Sequence, residues 1–202
     1  MWSIRTLFGK NEREVRQVKR FAAVFALVVL GALPSPTATA QTSGSVEGQT
    51  FVIGGRATNQ INIFVTGNLP VKKLGWFAWS VTSEGWAQSY VGLTYAPVSW
   101  VKVKAGYGLE TGAASYGRFG TSVLVGNKTD SVFFAFERGN NSWHKLVLNH
   151  RFNSWFGIGV MDQRGKGTGP RVEFRTGKVL AWGAVLWKDG KPATTAALSY
   201  NF

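Results

Sequence analysis

The chain has 202 residues and no cysteine. No disulfide can staple it, and no thiolate can ligate a metal or attack a substrate. Proline is scarce at six residues, and histidine scarcer at two. Imidazole chemistry therefore rests on His144 and His150 alone. Ten acidic residues stand against 23 basic ones, a net charge of +13. That imbalance favours anionic partners over cationic ones. Beyond residue 40 no apolar run approaches the roughly 20 residues that a membrane-crossing helix needs. If this part of the chain crosses a bilayer, it must do so with strands closed into a barrel.

Residues 1–40 carry a different pattern. Arg5, Lys10, Arg13, Arg16, Lys19 and Arg20 precede an apolar stretch, Phe21 to Leu33, of thirteen residues. Pro34, Pro36 and the small Ala38-Thr39-Ala40 follow. A basic start, a short apolar core and an A-x-A site read as a cleavable secretory signal peptide, with cleavage expected after Ala40. An uncleaved anchor is the alternative. Export excludes nucleic acid as the expected partner. Residues 41–202 would hold 17 basic and eight acidic residues, a net +9. No motif for a cofactor or a metal is present, so neither is expected.

Residues 41–49 are expected as a short N-terminal segment and 50–202 as one strand-rich domain. Turn formers recur at Thr58-Asn59-Gln60, Ser83-Glu84-Gly85, Glu110-Thr111-Gly112, Arg138 to Asn141, Arg164 to Gly167 and Lys188-Asp189-Gly190, about 26 residues apart. A second set lies between them, at Asn68-Leu69-Pro70, Ala96-Pro97, Gly126-Asn127-Lys128, Asn153-Ser154 and Thr176-Gly177-Lys178. One hairpin per repeat predicts six hairpins, or about twelve short strands. Eight or ten longer strands are alternatives.

The strands alternate with period two. Val101, Val103, Ala105, Tyr107 and Leu109 oppose Lys102, Lys104, Gly106 and Gly108. In the same way Val172 and Phe174 oppose Arg171, Glu173 and Arg175. Alternation alone does not decide which face is inside, because a soluble barrel gives the same pattern. Glycine on the polar face suits a crowded interior. Aromatics near strand ends suit two interfacial girdles: Trp76, Tyr95, Trp100, Trp155, Tyr200 and Phe202 at one rim, Trp86, Trp143 and Trp187 at the other. In that assignment Leu180, Trp182, Ala184 and Leu186 are expected on the outer, apolar face.

The last residues sharpen the assignment. Ala196, Leu198, Tyr200 and Phe202 share one face of an alternating strand, with Ala197, Ser199 and Asn201 on the other. This ending resembles the terminal strand of Gram-negative outer-membrane β-barrel proteins of the small, porin-like class. The resemblance implies an all-β, antiparallel up-and-down transmembrane barrel in the outer membrane. In it Leu198, Tyr200 and Phe202 belong to the closing strand, which the barrel-assembly machinery reads. Outer-membrane lipids and lipopolysaccharide are then the expected surroundings.

If the apolar face meets lipid, the interior receives Lys102, Lys104, Arg118, Glu137, Lys145, Arg151, Arg171, Glu173 and Arg175. Basic groups outnumber acidic ones there, and rings of Lys and Arg favour anions. The expected function is a narrow passive channel for small anionic solutes, similar in outline to basic-lumen outer-membrane channels for acidic sugars. Two other readings stand beside it. One is a structural barrel without a pore, or one that binds lipopolysaccharide or adheres through Arg138, Arg164, Lys166, Lys188 and Lys191. The other is a lipid acyl hydrolase or transferase built on Ser142, His144 and Asp162, where a His–Asp pair could activate a hydroxyl.

Overall fold

A computed structural model describes residues 42–111 and 117–202. The leader expected at 1–40, and Gly112 of one expected turn, lie outside them. Twelve strands follow one another: β1 (Thr42–Ile53), β2 (Arg56–Asn68), β3 (Leu74–Ser83), β4 (Trp86–Val98), β5 (Val101–Glu110), β6 (Gly117–Gly126), β7 (Asp130–Arg138), β8 (Ser142–Arg151), β9 (Phe156–Gln163), β10 (Gly167–Thr176), β11 (Val179–Lys188) and β12 (Lys191–Asn201). Each pairs antiparallel with its sequence neighbours, and β1 pairs with β12, so the sheet closes. The fold is an all-β, up-and-down barrel with no free edge. Gly44 and Phe202 exchange backbone hydrogen bonds of 3.1 and 3.0 Å at the seam. Leu198 and Tyr200 stand opposite Gly48 and Val46.

Two boundaries differ from the sequence expectation. Residues 42–49, expected to precede the barrel, are the first two-thirds of β1. The first turn is Gly54-Gly55, and Thr58-Asn59-Gln60 lies within β2. Both glycines have positive φ, 56° and 79°, as a two-residue hairpin turn matched to strand twist requires. Strand β4 also runs through Ala96-Pro97, with a register shift between Tyr95 and Val98 in place of a turn.

The direction of the faces is decided by exposure. Arg118, Glu173 and Arg171 are 3%, 5% and 7% exposed, whereas Leu93, Leu198 and Tyr107 are 57%, 59% and 61% exposed. Charges point in and large apolar side chains point out, the inverse of a soluble barrel. Such an outer face is satisfied by hydrocarbon. A ten-residue strand such as β5 extends about 33 Å and, tilted by about 40°, covers about 25 Å, the height of the apolar band of such barrels.

The inward glycines are where aromatic rings lie. A Cβ on Gly92 or Gly106 would strike neighbouring backbone and the Phe77 ring; one on Gly108 would strike backbone and the Tyr90 ring. Close ring-to-backbone packing thus selects glycine at these sites. The interior is not uniform. Met161, Trp182, Ala184, Leu186, Ala193 and Ala197 form a buried apolar cluster, with Val147 and Leu180 packed on it. Leu180, Trp182, Ala184 and Leu186 therefore face inward, opposite to the expected assignment. Both faces of β11 are apolar, so alternation there carried no direction.

Candidate functional site

Both termini of the barrel lie at one end, and the short turns after β1, β3, β7, β9 and β11 lie at the other, distal end. Along the β1–β8 wall and the distal end of β9, the lumen holds a cavity of ≈ 550 Å³. It runs from the distal mouth, at Trp86, Glu110, Arg118 and Lys166, down to the level of Ser45, Phe64, Lys104 and Phe133. Its size is that of pockets that hold small organic solutes.

At the mouth the arginine is locked. Arg118 bonds Glu110 through Nη1, and its Nη2 lies 3.5 Å from Glu137. Its Nε donates to the Tyr90 hydroxyl at 3.2 Å and its Nη1 to Asn141 at 3.2 Å. Glu137 also accepts from Gln88 at 2.6 Å and Tyr90 at 3.1 Å, and Glu110 accepts from the Trp86 indole at 2.6 Å. A second group sits toward the terminal end. Glu173 accepts from Arg151 at 3.0 Å, Arg171 at 2.9 Å and Asn149 at 3.1 Å. Arg175 Nε is buried beside this group without an acceptor among the described residues. Glu47, on β1, accepts from Trp182 at 2.9 Å and Ser199 at 2.7 Å.

The lysines behave differently. Lys104 Nζ stands 3.8 Å from the Phe64 ring centroid, Lys145 Nζ 4.9 Å from that of Trp182, and Lys166 Nζ 3.2 Å from that of Phe51. Among the described residues none of the three has a carboxylate within 4.0 Å. An aromatic face holds an ammonium in place but leaves donors free, since the group carries three. Lys166 belongs to the distal turn. Burial, and Lys145 nearby, push its pKa down from 10.5 to about 8.

The nine residues expected inside are distributed along the barrel. Lys104, Arg118, Glu137 and Lys145 line the cavity. Arg151, Arg171, Glu173 and Arg175 lie below it, and Lys102 is exposed at the terminal end of β5. Three charged groups were missed. Glu47 fell before the expected barrel, while Glu110 and Lys166 fell in expected turns. Lys166 folds back into the mouth, so it is not a solvated rim charge. Trp86 and Trp143 line the cavity as well, leaving Trp187, 49% exposed, as the outward indole of the distal rim.

The residues considered for catalysis sit on the outer wall at the distal rim. His144 Nε2 and Asp162 Oδ2 are 2.9 Å apart, so the expected pair forms. Ser142 Oγ, however, accepts from Arg164, and Thr168 donates to the other oxygen of Asp162. The serine is thus engaged by an arginine instead of a base. His150 pairs in turn with Asp130 at 2.8 Å, beside Phe152 at the terminal rim.

No protein-family model matches this chain, and no curated protein sequence does. Solved structures do. The KdgM porin superposes with a TM-score of 0.55 over 78% of this chain and 99% of its own, at 11% identity. The fold is that of a small outer-membrane porin. The Acinetobacter baumannii outer membrane protein Omp33 agrees, with a TM-score of 0.53 over 81% of this chain and 99% of its own, at 9% identity. The KdgM porin is also known in complex with disordered oligogalacturonate, a structure that superposes with a TM-score of 0.52 at 11% identity over 79% of this chain and 99% of that one. At these identities the likeness concerns the barrel and carries no residue across.

Proposed function

We propose that this porin-like barrel is a narrow diffusion channel of the Gram-negative outer membrane that prefers anions. One observation carries the preference. The arginines Arg118, Arg151 and Arg171 are matched by Glu110, Glu137 and Glu173, but among the described residues Lys104, Lys145 and Lys166 line the cavity with no carboxylate within 4.0 Å, against the single further acid Glu47. The uncompensated charge along the path is positive. An anion entering the lumen exchanges water for these ammonium groups, whereas a cation meets only repulsion from them. Phe64, the ring beneath Lys104, lines the same cavity.

The KdgM porin's complex with oligogalacturonate supports the same class of solute, since that ligand bears a carboxylate on each sugar. In this reading the termini are periplasmic, the short turns face outward and the outer wall contacts lipid and lipopolysaccharide. The chain arrives through its signal peptide and is inserted by the barrel-assembly machinery. Bilayer conductance with a salt gradient tests the proposal: anion-selective steps are expected, and Lys104→Glu should shift the reversal potential toward cations.

A further inference from the structure

The distal ends of β8 and β9, with the turn after β9, bring together Lys145 and Lys166, whose charge the channel reading uses, and Gln163, which it leaves unexplained. Lys145 stands opposite Gln163 across the hairpin. The Lys166 amide donates to the Gln163 carbonyl at 2.9 Å, which fixes the turn that carries its side chain inward. All three side chains line the same cavity. The two ammonium groups rest on Trp182 and Phe51 respectively and meet no carboxylate within 4.0 Å among the described residues. Glu47, which lines the same cavity, accepts from Trp182 and Ser199 and acts on Lys145 only from beyond ion-pair distance. Gln163 is 5% exposed, and its Oε1 is buried without a donor among the described residues.

Two lysines without an ion pair of their own favour an anionic ligand with more than one oxygen to accept from them. A buried, orphaned amide oxygen asks for a donor, because leaving it unsatisfied is costly. One chemical group offers both: a phosphate that carries a hydroxyl. We propose that Lys145, Lys166 and Gln163 form a hydrogen-phosphate site at the distal mouth of the lumen. Anionic oxygens accept from Lys145 and Lys166, and the hydroxyl donates to Gln163 Oε1. The hydroxyl comes from the phosphate itself in the free ion, or from the neighbouring carbon of a phosphate monoester. Sulfate matches the charge but has no proton to give at neutral pH.

The site rests on the channel reading only in requiring that the mouth admit anions. Binding is measured on the full barrel refolded in detergent micelles, by calorimetry and by the fluorescence of Trp182 next to Lys145. The probes are inorganic phosphate, glycerol 1-phosphate and sulfate. Saturable binding of a phosphate, about tenfold or more tighter than sulfate, is expected from one charge-assisted hydrogen bond made or lost. Tighter binding of inorganic phosphate marks the free ion as the ligand, and tighter binding of glycerol 1-phosphate marks a phosphorylated solute. Lys166→Met, a change in a turn that leaves the strands intact, should weaken binding by a similar factor. Gln163→Met should erase the preference over sulfate. Absence of saturation, equal affinity for sulfate, or unchanged binding by Lys166→Met would overturn the site. A barrel that conducts anions but fails these tests loses the site alone; one that binds phosphate but never conducts loses the channel alone.

Discussion

Removal of Arg118 should be the most damaging single change in the lumen. Its guanidinium serves four side chains, Glu110, Glu137, Tyr90 and Asn141, and only 3% of it is exposed. Arg118→Met keeps the bulk of the side chain and deletes every donor. Glu110 keeps the Trp86 indole, and Glu137 keeps Gln88 and Tyr90, but neither keeps a counter-charge. Breaking a buried ion pair from one side costs about 3–5 kcal/mol, most of it the carboxylate left behind. Glu137→Gln on top of Arg118→Met should restore part of that loss, a coupling of about 1–3 kcal/mol. Urea unfolding of the refolded barrel, followed by tryptophan fluorescence, reads both numbers from midpoint and slope. A loss below about 1 kcal/mol, the range of exposed pairs, would show that the mouth is hydrated.

Lys166 gives a pH dependence. Its pKa is lowered to about 8, so anion preference should weaken as pH rises from 7 to 9, and Lys166→Met should reduce that slope. Both histidines lie on the outer wall, so no imidazole in the lumen confounds the titration. Between pH 8 and 10.5 the folded chain holds fewer protons at Lys166 than the unfolded one. Stability should therefore climb through that window and carry the full penalty below it, with a urea midpoint that rises with pH. Gly92→Val should prevent barrel formation, because its Cβ would collide with the Ala105 carbonyl and the Phe77 ring; loss of the heat-modifiable band on gels reads this. Exchange of Ser142, His144 or Asp162 for alanine should change no lipid acyl hydrolysis, and a drop in all three would revive the lipase reading.

The period-two alternation of β5 and β10 made the inward set legible from sequence, and Lys102, Lys104, Arg171, Glu173 and Arg175 share one face as expected. Alternation gives parity but not direction. Where both faces are apolar, as with Leu180 to Leu186, the side was lost. Turn residues carry no parity at all, which hid Glu110 and the fold-back of Lys166. Thr42 to Gln49 are small and polar, a poor strand signal in isolation. They pair because β12 and β2 offer edges on both sides. Which cations lack partners depends on register between distant strands, as in Gln88 to Glu137 across 49 positions. No local pattern contains it.

The central claim is that uncompensated lysines make this lumen an anion path. Reversal potential of the refolded barrel in a planar bilayer, under a potassium chloride gradient at pH 7, tests it most directly. The account predicts discrete conductance steps with a reversal potential toward the chloride equilibrium value, reduced when Lys104, Lys145 and Lys166 are neutralised together. No steps, or a reversal potential toward potassium, would contradict it.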